Sequence, residues 1–138
     1  DRIRTSTKMF FRIERAGVKV EITQTESTLE TLEGGPIEFE SIMEMANQPT
    51  RLTGRIADGK VYIVSSQFGM EQKQELAFKP GAQMLWGMYR ETLRRGFEPG
   101  TEYTILAYIP SMRLDAPIPV SNRVGEVETY HPGSAGQS

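Results

Sequence analysis

The chain of 138 residues has no cysteine and a single histidine, His131. Without cysteine it cannot form a disulfide, use a thiolate nucleophile, or bind zinc or an iron–sulfur cluster through thiolates. A Ser-His-Asp or Cys-His arrangement would depend on His131, which lies in the small, polar segment 131–138. We therefore expect a non-enzymatic chain with no catalytic residue, no metal ligand and no cofactor.

Signals for nucleic acids, nucleotides and membranes are also missing. The net charge is −2 and the isoelectric point is about 5.5, without the basic excess of proteins that follow a phosphate backbone. The pair Gly34-Gly35 lacks the spacing and the following Lys-Ser/Thr of a phosphate-binding loop. No apolar run approaches the roughly 20 residues of a membrane span, and the first residues do not resemble a signal peptide. We expect no nucleic-acid partner and no transmembrane segment, and, because the first residue is Asp1, a processed chain or a fragment.

Alternation of apolar and polar residues is the main structural signal. Apolar residues make up 38% of the chain and the mean hydropathy is −0.42, values that suit an antiparallel sheet with one face in water. Segments 9–14 and 18–23 alternate with a period of two, which predicts strands over about 5–15 and from 18 towards 32. In the next predicted strand, one side carries Ile37, Phe39, Met43 and Met45, and the other carries Glu38, Glu40 and Glu44.

Turn residues separate these strands. Asp58-Gly59 is typical of a type I′ hairpin, because both central positions of that turn adopt positive φ. Ala16-Gly17 and Gly34-Gly35 predict two further turns, Asn47-Gln48-Pro49 predicts a loop, and 68–78 predicts one more strand.

The period changes after Pro80-Gly81. Apolar residues at 85, 88, 89 and 93 recur at helical spacing, and the segment 82–95 predicts an amphipathic helix that ends before Gly96. Two strands should follow, over about 103–109 and 116–129. Because Pro117 and Pro119 lie in the second of them, we expect it at an edge or in an irregular crossing.

These elements predict an α+β fold that is mostly β. We expect a curved antiparallel sheet, a half-barrel of about seven to nine strands, wrapped around the one amphipathic helix at about 82–95. Residues 1–130 should form this single domain, and 131–138 a flexible tail or linker.

Methionines and aromatic residues form the one apolar group that invites a functional interpretation. Flexible thioethers beside aromatic rings suit adaptable surfaces for greasy ligands or peptide side chains, although the same residues also fill cores. The candidate ligand or partner surface comprises Met43, Met45, Met70, Met84, Trp86, Met88 and Tyr89.

Charged groups have both a functional and a structural interpretation. Glu38, Glu40 and Glu44 could form a carboxylate pair or bind a hard cation, but their shared parity favours a solvated strand face. Anion binding is conceivable at two groups of arginines, for which surface charge and helix-end electrostatics are the simpler explanation. These groups are Arg51 with Arg55, and Arg90 with Arg94 and Arg95.

Several segments carry a family resemblance. They are Val-Lys-Val-Glu-Ile-Thr-Gln-Thr-Glu-Ser-Thr at 18–28, Pro-Ile-Glu-Phe-Glu-Ser at 36–41, Arg-Leu-Thr-Gly-Arg-Ile-Ala-Asp-Gly-Lys-Val at 51–61, and Gly-Phe-Glu-Pro-Gly-Thr-Glu-Tyr at 96–103. The stretch from Phe10 to Tyr103 resembles a non-catalytic N-terminal domain that precedes transglutaminase-like (Cys-His-Asp) domains in bacterial, often planctomycete-type, envelope proteins. The same turn elements are similar to small envelope domains with lipoprotein-carrier-like half-barrels.

The resemblance implies a periplasmic or envelope location and no catalytic residue in this chain. It implies an accessory or interaction domain that positions a neighbouring transglutaminase-like domain or another protein partner. The alternative is a carrier that holds a lipid or hydrophobic peptide between sheet and helix. An oligomerisation role through exposed sheet edges and an enzyme built on carboxylates alone are further alternatives.

Overall fold

The computed structural model describes residues 1–128. It contains one helix, α1 (Leu85–Arg95), and eight strands. The strands are β1 (Arg2–Arg15), β2 (Val18–Thr31), β3 (Pro36–Met45), β4 (Gln48–Ala57), β5 (Lys60–Gln67), β6 (Met70–Ala77), β7 (Glu102–Ala107) and β8 (Ile118–Arg123).

Strands β1 to β6 form one open antiparallel sheet in chain order, and β7 pairs with β8 in a second, two-stranded sheet. The predicted α+β, mostly β class with a single helix is confirmed, although its eight strands are divided between two sheets. Because β8 has only β7 as a strand partner among residues 1–128, the edge position predicted from Pro119 is also confirmed. The predicted tail at 131–138 lies outside the described residues.

Two-residue turns make four of the five connections in the large sheet. Ala16-Gly17, Ala46-Asn47, Asp58-Gly59 and Phe68-Gly69 all have positive φ at both positions, the geometry of type I′ turns, whose twist matches that of the flanking strands. The prediction was wrong in placing a loop at Asn47-Gln48-Pro49 and in extending a strand through Phe68. Pro49 belongs to β4, one residue beyond the last pair with β5, where its missing N–H is tolerated.

The helix begins three residues later than predicted, because residues 82–84 are extended and link the two sheets. The backbone N–H of Gln83 donates to Leu106 (2.8 Å), and the N–H of Tyr108 donates to Gln83 (2.8 Å). These bonds form a parallel bridge between Gln83 and Ala107. The apolar spacing at Ala82 therefore reflects a buried connection and not a helical turn.

The core lies on one face of the large sheet, here called the inner face. Phe39, Val61 and Ile63 project from it and pack against Met84 and Tyr108. Gly54 lies opposite Phe39 on the neighbouring strand, and the Phe39 ring occupies the space that a side chain at position 54 would take. These contacts hold the start of α1 and the loop after β7 against one end of the large sheet.

Candidate functional site: the distal apolar face

The inner face is covered along only part of its length. In the covered part, the row Thr28, Phe39, Gly54 and Ile63 crosses four strands and is buried. Further along the strands, the backbone N–H of Ser111 reaches the Glu26 carboxylate (3.3 Å). The covered part ends near this contact, since the next row on the inner face includes the exposed Met9 and Met43.

Beyond that limit, the inner face of β1, β2 and β3 continues as an apolar surface. Residues four apart in a strand share a face, so Met43 lies on the same side as Phe39. The same side continues to the strand ends. There Phe11 pairs with Ile22, which also faces Met45, and Ile13 pairs with Val20. The distal apolar face is defined as Met9, Phe11, Ile13, Val20, Ile22, Met43 and Met45.

This surface is open to solvent among the described residues. Phe11 is 44% exposed, Met45 48% and Ile13 51%, while Val20 and Ile22 are half-buried. No element of residues 1–128 covers them, because α1 and the loop after β7 pack over the other end of the strands. The polar Gln24 lies between Met9 and Met43, and the row of Phe11, Ile22 and Met45 beside it is apolar throughout. A group of exposed apolar side chains of this kind is typical of an interaction surface.

The opposite side of the same strands is polar, which makes the extension amphipathic. The outer side chains include Lys8, Arg12, Glu21 and Glu44, and the Arg12 guanidinium pairs with Glu21 at 3.1 Å. Phe10 is the apolar exception on that side of β1. Only the inner side of these strands is therefore apolar enough to be buried against another surface.

A buried carboxylate fixes the helix on the covered half of the sheet. Glu30 lies near the C-terminal end of β2 and is completely buried. Its carboxylate accepts hydrogen bonds from the backbone N–H of Trp86 (2.8 Å) and of Gly87 (2.9 Å). The Thr28 hydroxyl donates a third (2.9 Å). A negative charge at the first turn of a helix satisfies free N–H groups and complements the helix dipole. Sequence reasoning missed Glu30, because its partners lie 56 and 57 residues further along the chain.

The loop between β2 and β3 holds the same helix end from a second side. The Trp86 indole N–H donates to the Leu32 carbonyl (3.0 Å), and a Cβ on Gly34 would lie 3.1 Å from the Gly87 Cα. Only glycine permits this backbone approach. The helix is thereby fixed at its N-terminal end, on the covered half of the sheet.

The structure does not bring the seven predicted site residues together. Met43 and Met45 belong to the distal apolar face, and Met70 lies in the same row as Met43, separated from it by Thr50 and Gln67. Met84 cannot belong to an exposed surface, because it is completely buried in the core as the residue preceding α1.

The three predicted residues on α1 form a separate group. Trp86 and Tyr89 contact each other with ring centroids 5.6 Å apart, and Tyr89 is exposed, while Met88 and Trp86 are half-buried. The residues of the distal apolar face that the prediction missed are Met9, Phe11, Ile13, Val20 and Ile22. Their alternation was visible in the sequence, and its continuation on the facing strands was the available signal.

There is little free space between sheet and helix. The cavity under Leu85, Tyr108 and Pro110 measures about 10 Å³, space for one water molecule at most. The larger hollows, of about 570 and 550 Å³, have mixed polar and apolar linings and are not lined by α1.

Several of the predicted carboxylates and arginines are engaged in ion pairs, and the Arg55 guanidinium lies over the Tyr62 ring, 4.9 Å from its centroid. Arg4 pairs with Glu38 (3.3 Å), and Arg51 pairs with Glu40. Arg94 and Arg95 both contact Glu91, and their hydrogen bonds hold the pKa of the Glu91 carboxyl below its usual value. Within residues 1–128, no three or more Asp, Glu or His side chains are grouped so that they could hold a metal ion.

Comparisons of the chain with protein-family models, with curated proteins and with solved structures find no match. In the part of the chain that the structure describes, no helix combines the length and apolar character needed to cross a membrane.

Proposed function

We propose that this chain is a non-catalytic, envelope-associated accessory domain that docks a protein partner through the distal apolar face. The partner suggested by the sequence resemblance is a neighbouring transglutaminase-like domain. The observation that carries the proposal is the uncovered continuation of the inner face, with Phe11, Ile13 and Met45 near half exposure.

Two features support docking over a role in folding the chain itself. The core closes at the other end of the sheet without these residues, around Phe39, Ile63, Met84 and Tyr108. The alternation of apolar and polar residues nevertheless continues to Ile13 and Val20. Exposed apolar side chains on this side would lower the solubility of the chain if they stayed in water. A partner that covers the face would remove this apolar surface from water.

The closed core gives less support to the carrier alternative. A carrier that holds an acyl chain between sheet and helix needs a cavity of a few hundred Å³, whereas the space there is about 10 Å³. Ligand entry would also have to separate the helix from Glu30, Leu32 and Gly34, which hold its first turn.

Site-specific photo-crosslinking in the source cells tests the proposed function. A benzoylphenylalanine side chain at position 11 lies within the distal apolar face. The same side chain at position 97 replaces Phe97, which lies outside that face and is more exposed than Phe11 (63% against 44%), so lower accessibility cannot explain a missing cross-link there. We expect position 11 to yield a cross-link to a transglutaminase-like domain, identified by mass spectrometry, and position 97 to yield none.

Two results would overturn the proposal. Equal cross-linking of the same partner from positions 11 and 97 would remove the role of the face. Cross-links from position 11 only to lipid, or to proteins without a transglutaminase-like domain, would remove the proposed partner.

A further inference from the structure

Strand β1 forms a long free edge of the large sheet. It runs for 14 residues from Arg2 to Arg15 in unbroken register with β2, and among residues 1–128 no other strand pairs with it. The strand contains no proline and no bulge, two features that commonly block such edges; its basic side chains are a third, which acts against strands that lack acidic groups. Its backbone N–H and C=O groups on the free side are therefore available to another strand.

The charge of this edge is unlike that of the rest of the chain. The strand contains five basic residues and one acidic residue, so its net charge is 5 − 1 = +4, while the whole chain carries −2. The remaining residues therefore carry −2 − 4 = −6. Basic side chains of β1 on the outer side of the sheet are Arg2, Arg4, Lys8 and Arg12.

Most apolar and basic groups of β1 lie on opposite sides of the sheet; the exceptions are Phe10 on the outer side and Arg15, at the strand end, on the inner side. Met9, Phe11 and Ile13 point to the inner side, and Lys8 and Arg12 point to the outer side. A flat surface such as a bilayer can contact only one of these sides at a time. An additional strand at the edge contacts both, since its own side chains alternate in the same way.

We infer that the free edge of β1 binds an extended protein segment that alternates acidic and apolar side chains. The apolar side chains of the segment extend the distal apolar face beside Met9, Phe11 and Ile13, and its acidic side chains lie beside Lys8 and Arg12. This inference rests on the proposed docking function and specifies the chemistry of the docked partner.

A second copy of the chain fits this edge less well. Pairing of β1 with β1 would bring two charges of +4 together, and like charges facing each other across strands are destabilising. The other edge strand, β6, has only eight residues and presents Gln72 and Gln74 on the inner side. It would not continue the apolar surface.

A synthetic peptide tests the inference on the intact chain. The probe is a blocked, fluorescently labelled nonapeptide of alternating glutamate and valine, long enough to pair with residues 7–15. Binding is measured by fluorescence anisotropy, and the contact is located from backbone amide shifts in NMR spectra. We expect saturable binding with shifts concentrated in β1.

Matched variants and peptides separate charge from backbone pairing. Lys8→Glu should weaken binding at least fivefold, whereas Lys73→Glu makes the same charge change on the outer side of β6 and should leave binding within twofold. A peptide with lysine in place of glutamate should bind at least tenfold more weakly. A version N-methylated on the side that faces β1 should not bind, because it cannot donate backbone hydrogen bonds.

Several outcomes overturn the inference. The glutamate peptide could fail to bind at millimolar concentration, or the lysine and N-methylated peptides could bind as tightly as it does. The amide shifts could be centred on β6. Anionic vesicles could cause the β1 shifts expected of the peptide, or the chain could self-associate through β1 and exclude the peptide. If the peptide fails but position 11 still cross-links a transglutaminase-like domain, only the edge inference falls. If the peptide binds β1 and that cross-link is absent, the proposed function falls and the edge inference stands.

Discussion

The Oε1 atom of Glu30 lies 2.9 Å from the backbone nitrogen of Gly87, so a fully buried carboxylate on β2 caps a helix that begins 55 residues later. This contact joins the sheet to α1 and determines which half of the inner face the chain covers. A buried charge is tolerable only when its oxygens are hydrogen bonded, and Glu30 has three donors.

Glu30→Gln tests this helix cap. The amide retains one acceptor oxygen but points its NH₂ group at N–H or O–H donors, so we expect a loss of about 1–3 kcal/mol in the free energy of unfolding. Urea denaturation followed by circular dichroism measures it. Glu33→Gln, on the exposed loop nearby, should change stability by less than about 0.5 kcal/mol; equal effects of the two substitutions would contradict the capping role.

Gly54→Ala tests the packing of the core. An added Cβ would lie 2.1 Å from the Phe39 ring, so the ring must move, and overpacking of this kind typically costs about 1–3 kcal/mol. Gly125→Ala, where no atom lies within 4 Å of the added Cβ, is the control. Phe39→Leu should partly restore the Gly54→Ala protein, and a strictly additive double variant would argue against the contact.

The raised pKa of Tyr108 predicts that the protein loses stability at alkaline pH. Burial, together with the nearby Asp115 carboxylate, raises the pKa of Tyr108 to about 12. A pKa that is higher in the folded protein stabilises it fully below the unfolded value near 10, and this contribution is lost as the pH rises towards 12. We expect a decrease of about 1 kcal/mol between pH 9 and pH 11.

The control for this pH dependence is Tyr108→Phe. That variant should be less stable at neutral pH, since it loses the hydrogen bond from the hydroxyl to the Leu114 carbonyl (2.8 Å). Its free energy of unfolding should also lack the additional decrease between pH 9 and pH 11. The hydrogen bond to Glu75 raises the pKa of Lys60 in both proteins, so its contribution cancels in the comparison. Parallel pH profiles would contradict the assignment to Tyr108.

Polar substitutions in the distal apolar face should leave the isolated chain stable. Because Phe11 and Met45 are near half exposure, Phe11→Gln with Met45→Gln should cost less than about 1 kcal/mol in total. Ile63→Ala, in the buried part of the same face, should cost about 2–5 kcal/mol. Comparable losses from the two changes would show that the distal residues belong to the folding core.

The large sheet could be predicted because its signals are local. The alternation in 9–14 and 18–23 and the Asp58-Gly59 turn each lie within a few residues of the strands they define. The first residues of the helix could not be predicted from spacing alone. Residues 82–84 are apolar at compatible positions, but the tertiary bridge from Gln83 to Ala107 keeps them extended.

The site was predictable in its chemistry and not in its position. Met43 and Met45 were among the predicted residues, and the strand pattern correctly gave the side of the sheet on which they lie. Met84 belongs to the core, the other role that the sequence allowed for these methionines, because it packs with Phe39 and Tyr108 from distant segments. Sequence periodicity indicates which side of β1 is apolar, but the place where coverage ends depends on where Glu30 fixes the helix.

The most direct test is the affinity of the chain for a transglutaminase-like domain, the proposed partner, measured by isothermal titration calorimetry. Loss of two large side chains from the centre of a docking surface costs roughly 1–2 kcal/mol each. We therefore predict that Phe11→Gln with Met45→Gln raises the dissociation constant at least tenfold while the protein remains folded. An unchanged dissociation constant for this folded variant would contradict the assignment of the distal apolar face as the docking surface.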